Sequence, residues 1–330
     1  MRRIILSLLL LLGGMTVLIL FSEAAASGVI DGLRLCGTSL LPALFPYFVL
    51  TRFCAAVCDI VPSQSIGNRM QRWFGMSGQC IAPLLLSFIG GYPVGVANVC
   101  ALYRDGCMTK RDAERCLVVC NNSGPAFFVA IIGAKVFGSV RIGLELYGIH
   151  VLTALLCARF FARADAPQLH IRRLPRKRVT VARAFSDAIN GACTASLQIC
   201  ATVILFSVIL ALLRLLPCSE RILPFIGIAE LTSGVLQLEG NASGFLLASF
   251  YMGWGGFCVH LQAMALWGEL HPRGYLAEKL LHGLLSAIFA AALLRPTVLS
   301  VVLTAAFCAV CVVFPSIRKK QTGNLQKSTL

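Results

Sequence analysis

GGYPVG, Gly90 to Gly95, interrupts a run that is otherwise oily enough to lie in lipid. Some thirty residues on, NNSGP, Asn121 to Pro125, interrupts another. Glycine and proline break helices, and lipid leaves freed N–H and C=O groups without water. Irregular backbone at membrane depth therefore has to pack against protein or line a cavity. Transporters build solute sites from such broken helices, so these two stretches set the reading of the fold.

The rest of the chain agrees. Of 330 residues, 58% are hydrophobic and 13% charged, and mean hydropathy is +0.81. This is the composition of an all-α polytopic membrane protein. The net charge of +15 lies in loops, where the positive-inside bias and anionic lipid account for it, and no nucleic-acid partner is implied. Fifteen cysteines fall mostly inside apolar runs, as small buried hydrophobes and not as a disulfide framework. Cys308 and Cys311 spell CxxC without the flanks of a redox or zinc fold, so no metal or cofactor is expected.

Apolar runs predict spans at 4–21, 33–60, 116–138, 142–162, 187–215, 243–267, 279–294 and 297–315, with hairpins near 81–103 and 222–238. Arg2 and Arg3 set the N-terminus in the cytoplasm. Basic loops with Arg69 and Arg72, then Arg104, Lys110, Arg111 and Arg115, flank 81–103 on one side, which makes it a re-entrant hairpin bent at Gly90, Gly91, Tyr92 and Pro93. Arg163 to Arg183 form the strongest cytoplasmic signal, and a basic tail with Arg318, Lys319 and Lys320 puts the C-terminus inside too.

The halves share punctuation. Asp31 and Asp187, read as helix caps, lie 156 apart, as do Thr38 and Thr194. Gly124 and Gly256 lie 132 apart, as do His150 and His282, read as structural. GGYPVG corresponds to AELTSG, with Gly95 against Gly234. The charge argument starts the first unit outside and the second inside. The expected fold is thus two inverted-topology repeats, each with a re-entrant hairpin and a broken transmembrane helix. The expected divisions are an anchor helix at 1–30, repeats at 31–162 and 187–294, a basic cytoplasmic loop at 163–186, a last helix at 295–316 and a disordered tail at 317–330.

Candidate solute- or ion-binding residues follow from polarity inside apolar runs. Asn121, Asn122 and Ser123 offer amides and a hydroxyl. Gly124 and Pro125 free carbonyls upstream and N–H groups downstream, although a kinked, packed helix explains them as well. Glu230, with Thr232, Ser233 and Gly234, is the most conspicuous ionisable position, the alternative being a solvated hairpin tip. Gly255 and Gly256 thin the facing helix, and His260 and Gln262 follow them. Gly90, Gly91, Pro93, Gly95, Gly124, Pro125, Gly234, Gly255 and Gly256 shape the backbone. No Walker loop, GxSxG or HExxH is present, so neither an enzyme nor an ATP-driven pump is expected.

SFIGGYPVG, then TKRDAERCL, NNSGPAFFVAIIG, ELTSG and SFYMGWGGFCVHLQ, in that order, resemble the sporulation integral membrane protein family of YlbJ type, over about Asp31 to Leu294. That family carries the nucleoside-recognition, or Gate, domain. The resemblance implies a forespore-associated cell-membrane protein needed for the spore cortex. It also implies kinship with parts of concentrative nucleoside transporters and ferrous iron transport protein B, hence a conducting path of unspecified substrate. The expected function is a secondary transporter or permease for a small polar solute or ion. The alternative is a non-transporting scaffold that recruits spore-envelope proteins, docked through the 163–186 loop. The expected partners are the lipid bilayer, the solute or ion, and in one arrangement a second copy in a homo-oligomer.

Overall fold

The computed structural model describes residues 2–57, 64–161, 180–217 and 225–296, with isolated positions from 302 to 310. The 163–179 stretch, the start of the second hairpin at 222–224, Cys311, most of the 297–315 span and the tail lie outside them. The described residues are helical throughout, without strands. Five helices are long and apolar enough to cross a membrane, or six if the bent pair Ser65–Phe74 and Gly78–Gly90 counts as one span. The chain is a multi-pass membrane protein.

Helix α1 (Arg2–Leu20) is greasy all round, with Ile5 to Leu20 largely exposed as lipid contact requires. Helix α2 (Ser22–Leu35) runs through a π-helical stretch, Cys36–Leu40, into α3 (Leu41–Val57). Together they make one 36-residue rod, about 54 Å long at 1.5 Å per residue. The expected span began at residue 33, but the helix begins eleven residues earlier. Asp31 is therefore not a cap: it lies inside α2 and faces Arg34 at 3.9 Å. Asp187 likewise lies inside α9 (Val181–Leu213), opposite Arg183 at 3.9 Å. The true cap of α9 is Thr180, whose hydroxyl accepts from the Arg183 N–H.

The two long rods pack in opposite directions. Gly28 meets Ser207 and Val208, Gly32 meets Ile204, the Cys36 thiol donates to the Cys200 carbonyl, and Phe53 meets Phe185 edge-on at 5.7 Å. A Cβ on Gly28 or Gly32 would stand 2.7–2.8 Å from opposing backbone, so small residues set this spacing.

Between the rods in sequence lie the other elements of the first half. Helix α4 (Gln64–Phe74) leads to a 3₁₀ turn at Gly78–Cys80, then α5 (Ile81–Gly90) and α6 (Val94–Arg104). Helix α7 (Lys110–Val119) is capped by Thr109, which accepts from the Asp112 N–H and donates to its carboxylate. The expected 116–138 span is split: residues 120–124 are non-helical, and the chain turns helical again at Pro125 before the π-helical Phe127–Val136. Proline suits that first helical position because its missing N–H had no partner to lose. Helix α8 (Val140–Phe160) follows.

In the second half come the one-turn α10 (Ile226–Ala229) and α11 (Leu231–Leu236), then α12 (Ala242–Trp254), α13 (Gly256–Leu266) and α14 (Tyr275–Leu294). Asn241 caps α12 by accepting from the Gly244 N–H at 2.8 Å. The expected 243–267 span is broken at Gly255 and Gly256, both in the left-handed region.

One end of the bundle gathers the 104–110 and 267–274 loops. Tyr103 donates to Glu269 at 2.6 Å, the His271 N–H donates to Glu114 at 3.1 Å, and Arg159 stacks over Trp73. At the other end Gly240 approaches Val136 and Phe137, and Phe137 packs on Phe245. One apolar core surrounds the breaks, and a second fills the end near Met70, Cys116 and Tyr275. All cysteines among the described residues are free thiols.

Candidate functional site

Four chain breaks meet. The α5–α6 turn carries a cis Tyr92–Pro93 bond and a left-handed Gly91. It packs on the 120–124 break so tightly that a Cβ on Gly91 would stand 2.8 Å from the Gly124 nitrogen. The α10–α11 break at Glu230 packs on the Gly255–Gly256 break, with a Gly256 Cβ 3.1 Å from the Leu231 nitrogen. Each pair is backbone against backbone, so side chains are excluded from both joints.

The freed backbone groups find donors. Tyr147 O–H donates to the Phe88 carbonyl at 2.9 Å, and Trp254 N–H to the Ile228 carbonyl at 3.0 Å. Each hairpin thus has an aromatic side chain satisfying a carbonyl just before its break, which lipid could not do. Downstream of the second break, the Glu230 carboxylate accepts from the N–H groups of Thr232 (2.8 Å) and Ser233 (2.5 Å) and caps α11. Glu230 is 1% exposed, so the solvated-tip alternative is set aside.

Three of the breaks, and the helix that follows the fourth, border one cleft of about 550 Å³, including its open mouth. Gly90, Gly91 and Tyr92 come from the first, Ser123 and Gly124 from the second, Glu230 to Thr232 from the third; Cys258, Val259 and Gln262 follow the fourth on α13. The remaining wall is apolar, chiefly Leu40, Leu44, Phe48 and Phe127. A few polar groups set in an apolar, concave wall are the usual make-up of a small-molecule site. The groups on offer are hydroxyls, one amide and one carboxylate. They suit a small solute that donates hydrogen bonds, or a cation. Among the described residues no cluster of His, Cys, Asp and Glu is set out to hold a metal ion.

The other expected residues lie behind the wall. Asn121 donates to Tyr275 Oη at 2.5 Å, and that hydroxyl pairs with His260 Nδ1 at 3.0 Å. Asn122 donates to Ser87 Oγ (3.1 Å) and the Val119 carbonyl (2.8 Å). Its Oδ1 faces Lys279 Nζ at 3.4 Å, and Lys279 in turn pairs with Glu278 at 3.1 Å. The Ser123 N–H donates to His150 Nε2 at 3.2 Å. His282 Nε2 reaches the His150 carbonyl at 3.0 Å, with the two rings 4.6 Å apart. Of the expected contact residues, then, Ser123, Glu230, Thr232 and Gln262 border the cleft. Asn121, Asn122 and His260 belong to a buried network, and Ser233 contributes its N–H to Glu230. Gly95 and Gly234 shape the hairpins from inside: Gly95 abuts Ser87, and Gly234 abuts Gly227.

Sequence reasoning missed Tyr92 as a lining side chain, and it missed Glu278 and Lys279 altogether. The signal was present, since two charges stand within the apolar 275–294 run. A span starting at 279 assigned them to the membrane surface. The helix starts at Tyr275 and buries both.

No family model matches the chain, and no solved structure matches it. Among curated proteins, the sporulation integral membrane protein YlbJ of Bacillus subtilis is 22% identical over 315 residues, covering 80% of this chain and 76% of the relative. The chain is thus similar, at low identity and over most of its length, to a YlbJ-type sporulation integral membrane protein.

Proposed function

We propose that this protein is a secondary transporter or permease for a small polar solute or ion, used during spore formation. The observation that carries the reading is the convergence of three helix breaks, and of the helix after a fourth, on one cleft with Glu230 buried at its edge. Such breaks destabilise a lipid-embedded fold unless their exposed dipoles and carboxylates do something, and binding a solute is what they do in transporters.

Two inverted repeats would give the cleft its alternating access. Three features support them. The rods α2–α3 and α9 run antiparallel. Each hairpin has a close glycine contact at corresponding places, Gly95 on Ser87 and Gly234 on Gly227. His150 and His282, at matching positions, meet between α8 and α14. Rocking one repeat against the other would expose the cleft first to one side and then to the other. The basic residues Arg69, Arg72, Arg104, Lys110, Arg111 and Arg115 favour the 104–110 end as the cytoplasmic one, with both termini inside.

A role in cortex formation, and residence in the forespore-associated membrane, rest only on the resemblance to YlbJ-type proteins. The test is uptake into proteoliposomes from a panel of nucleosides, metal cations and small polar metabolites. The expected result is saturable flux of one class that Glu230→Gln abolishes while protein abundance holds. Flux equal to that of empty liposomes across the panel, with sporulation surviving Glu230→Gln and failing on charge reversal in 163–186, would replace this reading with the scaffold.

A further inference from the structure

Behind the cleft lies an ion pair that the site itself does not use. Glu278 and Lys279, adjacent on α14, are 0% and 2% exposed. Their charges lie 3.1 Å apart. Beyond that contact, neither carboxylate oxygen has a hydrogen-bond donor among the described residues. A buried carboxylate normally collects several donors, and this one rests on a single ammonium. That ammonium is shared, because Lys279 Nζ also lies 3.4 Å from Asn122 Oδ1. Asn122 sits in the 120–124 break, one residue from Ser123, which borders the cleft. One non-helical segment is therefore wall to the cleft on one face and partner to the ion pair on the other.

The groups facing the pair are few. The 120–124 break brings Asn121 and Asn122, α8 brings His150, α13 brings His260, and α14 itself brings Tyr275 and His282. Ser87 of α5 binds Asn122, and Ser249 of α12 binds the Ser286 carbonyl. No second carboxylate or cation pairs with Glu278 or Lys279 among the described residues.

We propose that the Glu278–Lys279 pair is a proton-binding switch wired to the cleft through Asn122, which makes the proton the coupling ion of the transport cycle inferred above. A proton arriving from water bonds to a Glu278 oxygen and cancels the carboxylate charge. Lys279 keeps its charge, and its ammonium passes from Glu278 Oε2 to Asn122 Oδ1. That draws on the segment bearing Ser123 and Gly124. Release of the proton to water restores the ion pair and lets the segment go. Only the role in transport rests on the earlier reading; the switch itself does not.

Two measurements on the purified full chain in liposomes test it without any solute. Infrared difference spectra between acid and alkaline buffer should contain the carbonyl band of a protonated carboxyl. The band should vanish in Glu278→Gln, shift but persist in Glu278→Asp, and stay unchanged in Glu230→Gln. Amide hydrogen exchange over 120–124, taken as the ratio of wild type to Glu278→Gln at each pH, should change about fivefold or more across the titration. Taking the ratio cancels the intrinsic chemistry of exchange. A wild-type spectrum with no such band, a band that survives Glu278→Gln, or a flat exchange ratio overturns the proposal. Should Glu278→Gln fail to fold, the Glu278→Asp shift alone decides. A proteoliposome flux of zero would refute transport and leave these results standing, whereas flux without the band would refute only the switch.

Discussion

Gly91 and Gly124 touch backbone to backbone. A Cβ on Gly91 would lie 2.8 Å from the Gly124 nitrogen, and one on Gly124 would lie 3.0 Å from the Gly91 nitrogen. Gly91 also has φ +71°. The joint between the first hairpin and the first broken helix thus rules out side chains on both partners at once, and the cleft depends on it.

Gly91→Ala combines a left-handed backbone with an atomic clash, and the expected loss is about 2–4 kcal/mol. Gly106→Ala separates the two effects. Gly106 has nearly the same φ, +70°, but nothing within 4 Å of its added Cβ. Its loss should be about 1–2 kcal/mol. Thermal unfolding in detergent measures both. Equal losses would mean that the joint is looser than the geometry implies.

At Glu230 the carboxylate does two things, capping α11 and bordering the cleft. Glu230→Gln keeps one acceptor oxygen and turns the other into a donor facing an N–H. The expected loss is about 1–2 kcal/mol, as for a lost helix cap. Glu230→Asp shortens the reach and should cost a similar amount. If the cleft carries solute, the two variants part company in flux: aspartate keeps the charge and retains part of the uptake, while glutamine loses it. Parallel loss of flux and of melting temperature in both would make Glu230 a cap and nothing more.

Much of this architecture was legible before any coordinates. Glycine, proline and clustered polar residues stand out against an apolar background, so the breaks at Gly90–Pro93, Asn121–Pro125 and Gly255–Gly256 were plain. What the sequence did not carry was direction. Asn121, Asn122 and Ser123 are consecutive, and in non-helical backbone no period says which of them faces the cleft. Only Ser123 does. Helix ends were equally elusive, because Asp31 looks like a cap yet pairs with Arg34 on a rod longer than the bilayer is thick. The same ambiguity of a few residues hid Glu278 and Lys279, since shifting a span's start from 275 to 279 turns a buried ion pair into a surface one.

Removing one half of that pair should be costly and removing both should not. Lys279→Met leaves an unpaired buried carboxylate, and the expected loss is about 3–5 kcal/mol. Glu278→Leu in the same chain should recover most of it, because well-packed apolar side chains replace buried ion pairs with little penalty. A double-mutant cycle followed by thermal unfolding reads the coupling directly. Additive losses would show that the two charges do not depend on one another, despite their 3.1 Å separation.

The sidedness proposed for the bundle rests on the charges of its two loop clusters and is open to direct measurement. Cys107 already stands in the 104–110 loop, half-buried, at the end that carries Arg104, Lys110, Arg111, Arg115 and Arg273. Gly138, at the opposite end, has open space around an added Cβ, so Gly138→Cys supplies the second probe. Only Lys135 and Arg141 stand near it in sequence, which makes this end much the poorer in cations. Peptide-resolved mass spectrometry after treatment with a membrane-impermeant maleimide should find Gly138→Cys modified in intact cells. Cys107 should react only once the membrane is opened. The opposite pattern would invert the whole bundle while leaving the two rods antiparallel. Modification of both in intact cells would be graver, because it would set the two loop clusters on one surface and remove the basis for a cleft reached alternately from two sides.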